Sequence, residues 1–105
     1  MPQFDVFRNP GPGARTGIPY LLDVQSDLLR HLATRVVIPL CRPSVLEGKP
    51  ARYLNPAFEV EGKTVLLLTP QIAGVPKTAL GVRVGNLAKE RDAIIRAVDM
   101  VLAGI

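Results

Sequence analysis

The alternation of hydrophobic and polar residues predicts short β-strands over most of the chain. Residues 3–8 alternate, with Phe4 and Val6 on one side and Asp5 on the other, as expected of a strand with one buried face. The next apolar run, residues 18–24, is predicted to pair with it. The connection between them is rich in proline and glycine, which support neither a strand ladder nor a helix.

The middle of the chain is predicted to contain a third strand and a hairpin. Residues 35–42 are strongly β-prone, and Pro39 favours an edge position or a bulge because it cannot donate a ladder hydrogen bond. Three prolines in residues 43–56 indicate an excursion with little regular structure. Residues 58–65 alternate on both sides of Gly62, which predicts a β-hairpin with a two-residue turn.

The segment after the hairpin turn is predicted to continue in a buried strand and to end in a final strand. Residues 65–68 are continuously apolar, as in a strand that is buried on both faces. Residues 69–76 contain two prolines and are predicted to form a loop or a single helical turn. Residues 78–84, interrupted by Gly81, are predicted to form the last of about six strands.

Residues 86–105 have the spacing of an amphipathic helix. Asn86 is positioned to cap the first turn, and Gly104 suits a left-handed closing residue. Ile105 follows, so the helix ends on apolar atoms that belong either to a frayed tip or to a binding surface. The predicted apolar face comprises Leu87, Ile94, Ile95, Val98, Val101 and Leu102, and the polar face comprises Lys89, Asp92, Arg96 and Asp99.

Together these elements predict a mainly β fold with one long C-terminal α-helix. We expect an antiparallel barrel, or a strongly curved sheet, that is capped by the helix. At 105 residues the chain is expected to form a single domain, residues 1–105. It has no tryptophan and only five other aromatic residues, so the core is expected to be aliphatic.

Charge and cysteine usage narrow the function only slightly. The net charge of +4 favours acidic partners weakly, because the basic residues are scattered along the chain. Cys41 is the only cysteine, which excludes an intramolecular disulfide and makes the cytoplasm the default location. No secretion-like N-terminus and no apolar run of membrane-spanning length occurs, so we expect neither export nor membrane insertion.

No combination of residues points to catalysis. His31 is the only histidine, and a pair with Cys41 would lack an orienting third group, so His31 is interpreted as a surface residue and Cys41 as a core residue. One cysteine, one histidine and scattered carboxylates show no metal-ligand spacing. The glycines do not form a phosphate-binding loop. We therefore expect no metal and no cofactor.

Four short motifs occur in order along the chain. They are LDVQSDLL at residues 22–29, RVVIPL at residues 35–40, LTPQIAGVP at residues 68–76, and the terminal Gly104-Ile105. In this order they resemble the CcdB toxins of type II toxin–antitoxin modules. The resemblance spans essentially the whole chain, with an insertion-like loop near residues 9–13.

This resemblance implies an SH3-like antiparallel barrel with a C-terminal helix, assembled as a two-fold homodimer. In the family, the paired helices enter the A subunit of DNA gyrase and trap the enzyme on cleaved DNA. The chain is therefore expected to be a protein inhibitor of a topoisomerase and not an enzyme. A CcdA-like antitoxin is expected to fold onto the dimer and release gyrase. We expect sequence-specific DNA binding only in the complex with that antitoxin.

The resemblance also assigns contact residues. The family's gyrase contacts correspond to Leu28, Leu29, Arg96, Asp99, Leu102, Ala103, Gly104 and Ile105, and its dimer contacts to Val24, Val101 and Gly104.

Three positions depart from the family pattern, and the departure at Ala103 matters most. Ala103 stands where the gyrase-poisoning toxins have a tryptophan that stacks on its symmetry mate and on gyrase arginines. Loss of such an interfacial aromatic costs on the order of 2 kcal/mol or more. Leu102 in place of a family phenylalanine, and Arg96 in place of a neutral amide, point the same way. A homologue that binds antitoxin without poisoning gyrase is therefore a second hypothesis.

A third hypothesis is enzymatic. Related toxins with the same barrel are endoribonucleases that use basic and acidic residues in a groove between the strands and a loop. Arg15, Arg35 and Arg42 are the candidates for such a groove. We prefer the interpretation that these arginines are solvated surface charge, because the motifs match the gyrase branch.

Overall fold

One antiparallel sheet carries most of the regular structure in the computed structural model, which describes residues 2–47 and 49–104. Within these residues the elements are β1 Asp5–Arg8, β2 Tyr20–Asp23, β3 Thr34–Cys41, β4 Ala57–Val60, β5 Lys63–Leu67, β6 Ala73–Pro76, β7 Arg83–Asn86 and α1 Arg91–Ala103. The strand order is β4-β5-β3-β2-β1-β7, and β6 also pairs with β3. Short 3₁₀ turns occupy several connections.

This antiparallel half-barrel with a single C-terminal helix in the described residues confirms the predicted fold class. Side chains from the sheet and from α1 share one core, to which α1 contributes Ile94 and Ala97 with no exposed surface. The core is largely aliphatic, as expected, and consists of Phe4, Val6, Tyr20, Leu22, Ile38, Leu40, Phe58, Val60, Val65, Leu67, Leu87, Ile94 and Ala97.

Strand β1 pairs with β2 as predicted but does not alternate as predicted. Phe4 and Val6 are buried, yet Asp5 is buried too, with 1% of its surface exposed. The expectation of a polar face at Asp5 is therefore wrong. The Oδ1 atom of Asp5 accepts hydrogen bonds from Arg83 Nε at 2.8 Å and from Asn86 Nδ2 at 2.9 Å. These two partners replace the water that a buried carboxylate loses.

Strand β3 lies inside the sheet, so the edge position predicted from Pro39 is wrong. One side of β3 pairs with β2. The other side pairs with β6 as far as Val37 and with β5 from Leu40 onwards. Pro39 accepts a hydrogen bond from Leu68 N at 2.9 Å on that second side. Because the N–H and C=O of one strand residue point to the same side, the missing N–H falls in the gap between β6 and β5.

The predicted hairpin is confirmed. Val60 pairs with Lys63 across a turn formed by Glu61 and Gly62. Both turn residues have positive φ, 52° and 76°, which is the backbone that a tight two-residue hairpin turn requires. Residues 65–68 are buried throughout, which confirms the prediction of a strand covered on both faces.

The segment after β5 differs from the prediction in two places. Residues 69–76 contain the expected helical turn, Thr69–Gln71, but also strand β6, which its short proline-ended sequence concealed. The last strand begins only at Arg83. Before it, Gly81 donates a hydrogen bond to Arg8 O at 2.9 Å. A Cβ atom at Gly81 would lie 2.6 Å from the same oxygen, so this close approach requires glycine.

Helix α1 begins at Arg91, later than the predicted start. Asn86 ends β7, and its Oδ1 atom accepts a hydrogen bond from Ala88 N at 2.7 Å. This bond ties Asn86 to the 3₁₀ turn Ala88–Glu90, whose N-cap residue is Leu87 and which leads into α1. The predicted polar face is exposed. Leu102, which was predicted to widen the apolar face, has 73% of its surface exposed and is not part of the core.

Candidate functional site

A short turn after β2 exposes two adjacent leucines. The turn is the 3₁₀ segment Asp27–Leu29, and Ser26 Oγ caps it by accepting a hydrogen bond from Leu28 N at 3.2 Å. Leu28 is 85% exposed and Leu29 is 45% exposed. Two neighbouring leucines at the surface form a candidate binding site for another macromolecule.

Gln25 ties this turn to the sheet. Its side chain is buried, with 4% of the residue surface exposed. Its Nε2 atom donates a hydrogen bond to Leu29 O at 2.9 Å, and its Oε1 atom accepts one from Val36 N at 3.0 Å. A single buried amide therefore links the end of the turn to β3.

A buried ion pair in turn supports Gln25. Asp23 Oδ1 accepts a hydrogen bond from Gln25 N at 3.0 Å. Asp23 Oδ2 lies 2.8 Å from Arg35 Nε and 2.7 Å from Arg35 Nη2, and neither side chain has exposed surface. Burial raises the pKa of Asp23 above its ordinary value, and the Arg35 guanidinium opposes that rise. The pair and its hydrogen bonds therefore act as one internal support for the turn.

Three hydrogen bonds nearer the surface hold the turn and its flanks. Gln3 N donates a hydrogen bond to Asp27 Oδ1 at 2.8 Å, and the Gln3 side chain donates one to Val24 O at 3.1 Å. On the other side of the turn, Lys77 Nζ donates to Arg30 O at 3.1 Å. The exposed leucines are thus presented on a backbone that is bonded before, within and after the turn.

The end of α1 is the second exposed apolar region. Leu102 is 73% exposed, and Ala103 and Gly104 are exposed as well. Gly104 has a φ of 72° and donates a hydrogen bond to Met100 O at 3.1 Å, which confirms the predicted left-handed closing residue. Ile105, predicted to contact gyrase, lies outside the described residues.

The other predicted contact residues occupy different environments. Arg96 and Asp99 are exposed and line a shallow groove on α1 with Arg91, Asp92 and Ile95. Val24 and Val101, predicted at the dimer interface, are each half-buried in the single chain, and Val24 packs against the core. The predicted residues therefore fall in two regions, the turn after β2 and the exposed surface of α1.

This arrangement can be compared with known proteins. A family model described as CcdB protein matches residues 3–104. The chain belongs to the CcdB family. Its fold, including the sheet and the closing helix, is also shared by solved toxins. An endoribonuclease from a mycobacterial species, solved in complex with its cognate antitoxin, matches this CcdB-family chain with a TM-score of 0.76 and 19% identity over 97% of this chain and 94% of the other.

A second solved structure gives a similar result. The Mycobacterium tuberculosis toxin MazF-mt6 matches the CcdB-family chain with a TM-score of 0.66 and 16% identity, over 79% of this chain and 84% of the other. At sequence identities this low, the structural match establishes a shared fold and not a shared activity.

The two residues considered for catalysis lie in different environments of this CcdB-family protein. His31 is exposed, whereas Cys41 is buried within β3, and burial raises the pKa of its thiol. A protonated, buried thiol is a poor nucleophile. Within the described ranges, no group of three histidine, cysteine or carboxylate side chains is placed to hold a metal ion. No helix in that part of the chain has the length and apolar character needed to span a membrane.

The three arginines proposed for a nucleic-acid groove also separate. Arg15 and Arg42 are exposed, but Arg35 is fully buried against Asp23. Neither prediction for Arg35 holds, since it is neither part of an open groove nor a solvated surface charge. The reason is that β3 directs this side chain into the protein, where the Asp23 carboxylate compensates its charge.

Sequence reasoning missed two sets of residues. The first is the internal support formed by Asp23, Gln25 and Arg35. The available signal was the pair of opposite charges, Asp23 and Arg35, in two consecutive β-prone runs. The second is Tyr53, whose ring lies 5.0 Å from Arg52 Cζ and 5.1 Å from Arg96 Cζ. No sequence pattern pointed to Tyr53, because Arg96 meets it only in the folded chain.

Proposed function

We propose that this protein is the toxin of a type II toxin–antitoxin module and that, as a homodimer, it inhibits DNA gyrase by binding the A subunit. Membership of the CcdB family supports a toxin of this class, and so does the fold shared with two known toxins. The observation that carries the target is the exposure of apolar side chains at positions that correspond to the family's gyrase contacts.

Three of these side chains are leucines at the surface, Leu28, Leu29 and Leu102. Burying apolar surface releases about 25 cal/mol per Å², so each of them gains free energy from a partner that covers it. A two-fold dimer presents every such side chain twice. Doubling favours a central apolar cluster of the kind that dominates the energy of protein interfaces.

The gyrase assignment is tested by adding the purified protein to gyrase and plasmid DNA. We expect supercoiling to fall and cleaved DNA to accumulate in proportion to the protein added. Binding to the A subunit is measured separately by calorimetry. Intact supercoiling without binding would contradict the assignment and favour the homologue that binds antitoxin without poisoning gyrase.

A substitution at Ala103 tests most directly whether the family's gyrase-binding surface is retained. The position is exposed, so a larger side chain can be added there without entering the core. Ala103→Trp is expected to tighten binding to the A subunit about thirtyfold, on the order of 2 kcal/mol, because it adds an interfacial aromatic. Ala88→Trp, at an exposed alanine before α1, is the matched control. Equal affinities for the two variants would argue against the family surface.

The homodimer is proposed to form through Val24, Val101 and Gly104. Sedimentation is expected to give a mass of twice the 11.4 kDa of one chain. Val101→Arg is expected to yield monomers, because a charge at an apolar interface must be desolvated without a partner. Val82→Arg is the control, since Val82 is 69% exposed and lies outside the proposed interface. A dimer unaffected by Val101→Arg would place the interface elsewhere.

The proposed antitoxin is a CcdA-like chain that folds onto the dimer. The mycobacterial relative in fold was solved with its cognate antitoxin, which supports a partner of this kind for the present protein. Coexpression is expected to restore growth and supercoiling, and the two chains are expected to purify together. Rescue of growth without a complex would contradict direct neutralisation.

The alternative function is an endoribonuclease, and the specific observation that favours it is the fold shared with an endoribonuclease. The burial of Arg35 weighs against an endoribonuclease. Arg35 is one of the three arginines considered for the groove, and it is buried in an ion pair with Asp23. RNA cleavage with intact supercoiling is the result that would support the enzyme. Cleavage that survives Arg15→Gln and Arg42→Gln would point to contamination or to another groove.

A further inference from the structure

The two end strands of the sheet, β4 and β7, flank an open cleft. Within the described ranges, β4 pairs only with β5 and β7 pairs only with β1, so the half-barrel is not closed between them. A cavity of about 120 Å³ is lined by residues of both end strands, and a second cavity of about 590 Å³ adjoins it beside the 3₁₀ turn before α1. The two cavities share Glu59, Asn86 and Leu87 and therefore form one cleft.

Strand β4 presents backbone groups without a strand partner to this cleft. Leu67 N donates a hydrogen bond to Pro56 O at 3.0 Å, which places the residue before β4 in the ladder with β5. Residues of an antiparallel strand alternate between its two sides, so the N–H and C=O groups of Ala57 and Glu59 face away from β5. Such an edge is a template for a further strand. β4 contains neither lysine nor proline, which commonly protect an edge.

A glycine in β7 leaves space open inside the cleft. Gly85 lines the cavity between the two end strands, and a Cβ atom added to it would have no neighbour within 4 Å. Its φ lies outside the left-handed region, so the backbone conformation does not require glycine. Glycine inside a strand weakens that strand and often marks a place where another backbone approaches closely. The space beside Gly85 is therefore available to an incoming chain.

The charges around the cleft favour a basic partner. Glu59 and Glu90 line it, and in the part of the chain that the structure describes neither forms an ion pair. Glu61 lines it too, with its carboxylate 2.7 Å from the Arg8 guanidinium. Lys89 is the one basic residue among the described lining residues, although the chain as a whole has a net charge of +4. These carboxylates attract cations and repel nucleic acid or an acidic segment.

The side chains of β4 define the pattern of a strand that fits beside it. Phe58 and Val60 are buried, whereas Ala57 and Glu59 are exposed. Side chains on the same face of neighbouring strands lie next to each other. A strand added to β4 therefore places alternate side chains toward the core, where apolar groups fit, and the others beside Glu59, where cations fit.

We infer that the cleft between β4 and β7 binds an extended segment of a partner protein in which basic and apolar residues alternate. The segment pairs with the outer edge of β4 through Ala57 and Glu59. Its apolar side chains enter the space beside Gly85, and its cations meet the carboxylates of Glu59 and Glu90. Backbone pairing supplies the affinity, and the alternating side chains supply the specificity. None of the residues that line this cleft belongs to the surface proposed to bind gyrase.

The test measures binding of a fluorescein-labelled peptide of alternating Lys and Val residues to the full-length protein by fluorescence anisotropy. Gly85→Leu fills the open space and is expected to weaken binding about tenfold, because the incoming strand then meets an overpacked site. Gly74→Leu is the matched control, since a Cβ atom at this glycine of β6 also has no neighbour within 4 Å. It is expected to bind as well as the unmodified protein.

The charges and the backbone pairing are tested separately. Glu59→Gln and Glu90→Gln are each expected to weaken binding about threefold, the effect of one exposed ion pair, whereas the exposed Glu47→Gln is expected to have none. The same peptide with methylated backbone amides keeps its charges but cannot donate to β4, and it is expected not to bind. The unmethylated peptide is expected to slow hydrogen exchange at Ala57 and Glu59.

Melting temperatures are compared for all variants, so that a loss of binding is counted only for folded protein, and the methylated peptide decides if Gly85→Leu does not fold. The assay contains no gyrase, and its result is therefore independent of the gyrase experiment. Absence of peptide binding, equal binding of the methylated peptide, or equal losses for Gly85→Leu and Gly74→Leu would overturn the inference. Preferential binding of a Glu-Val peptide would overturn it as well. A lower mass of Gly85→Leu in sedimentation would do the same, because the occupant would then be a second copy of this chain.

Discussion

The turn after β2 and the end of α1 both expose leucines, but they are supported in different ways. The turn depends on buried polar groups, since Gln25 bonds to it and the Asp23–Arg35 pair bonds to Gln25. The end of α1 is supported by helical backbone bonds and by the closing glycine. An exposed surface can thus be organised from inside the protein or by local geometry alone.

This difference predicts where mutations act. Changes at buried residues should disturb the turn, although those residues contact no partner. Changes at the end of α1 should alter binding and leave folding nearly unchanged.

The largest effect is expected for Asp23→Ala. This change leaves the Arg35 charge buried without the Asp23 carboxylate, and breaking a buried pair in this way typically costs about 3–5 kcal/mol of unfolding free energy. Urea unfolding followed by circular dichroism measures the loss. Replacing both members, as Asp23→Leu with Arg35→Met, is expected to recover most of it, because no unpaired charge is left in the core.

The matched control is Asp27→Ala, at an exposed aspartate that accepts a hydrogen bond from Gln3 N. Its expected cost is about 1 kcal/mol, the value for a helical cap or a single hydrogen bond. If Asp23→Ala cost no more than Asp27→Ala, the buried pair could not be the main support of the turn.

An intermediate effect is expected for Gln25→Leu. The change removes the acceptor of Val36 N and the donor to Leu29 O, and unsatisfied buried groups of this kind cost about 1–3 kcal/mol. Hydrogen exchange is expected to accelerate at the amides of residues 28–30, and gyrase binding is expected to weaken. Gln71→Leu, at an exposed glutamine, serves as the control. Unchanged exchange in the turn would show that Gln25 does not hold it.

Tyr20 is a buried polar residue outside both the turn after β2 and the end of α1, and its hydroxyl makes the stability depend on pH. Burial, together with the hydrogen bond that its hydroxyl donates to Glu61 at 2.6 Å, raises the pKa of Tyr20 to about 12. The folded protein retains this proton more strongly than the unfolded chain, in which the pKa of tyrosine has its ordinary value of 10.0. The stabilisation is therefore complete below pH 10 and is lost as the pH rises through about 12.

Absorbance titration of tyrosinate in a Tyr53→Phe background reports on Tyr20 alone, because the chain has two tyrosines. Glu61→Gln is expected to lower the midpoint toward that of free tyrosine, since the carboxylate no longer disfavours the phenolate. A midpoint that does not move would show that burial alone raises the pKa.

The smallest effect on stability is expected for deletion of Gly104 and Ile105. The deletion removes the hydrogen bond from Gly104 N to Met100 O at an exposed helix end, so the unfolding free energy should change by only about 0.5 kcal/mol. Gyrase inhibition is expected to be lost. The same deletion in the Ala103→Trp protein is measured alongside for comparison. A large fall in melting temperature would instead show that the terminus belongs to the core.

The fold was largely predictable because its strongest signals are local. The hairpin followed from alternation around Gly62, and the buried strand followed from the apolar run at residues 65–68. Boundaries were less accurate where local signals compete. Asn86 resembles a helix cap, but the β1 partner of this segment keeps it in β7 and delays α1 to Arg91.

The candidate site was predictable only in its outer members. The family resemblance assigned Leu28, Leu29 and Leu102 as contact residues, and all three are exposed in the structure. The groups that support them were not identified, because Asp23 and Arg35 belong to different strands and meet only when β2 pairs with β3. The contact between Arg96 and Tyr53 likewise joins residues far apart in the chain.

The sequence by itself determined the family, the mainly β class, the hairpin and the amphipathic helix, since each depends on periodicity, turn residues or motif order within a short stretch. Only the tertiary structure decided that Asp5, Asp23 and Arg35 are buried and that Pro39 lies inside the sheet. A charged residue is tolerated in such a place when a distant partner compensates its charge, and a proline is tolerated when its missing N–H faces a gap between two paired strands. Both conditions are set by strand pairing rather than by neighbours in the chain.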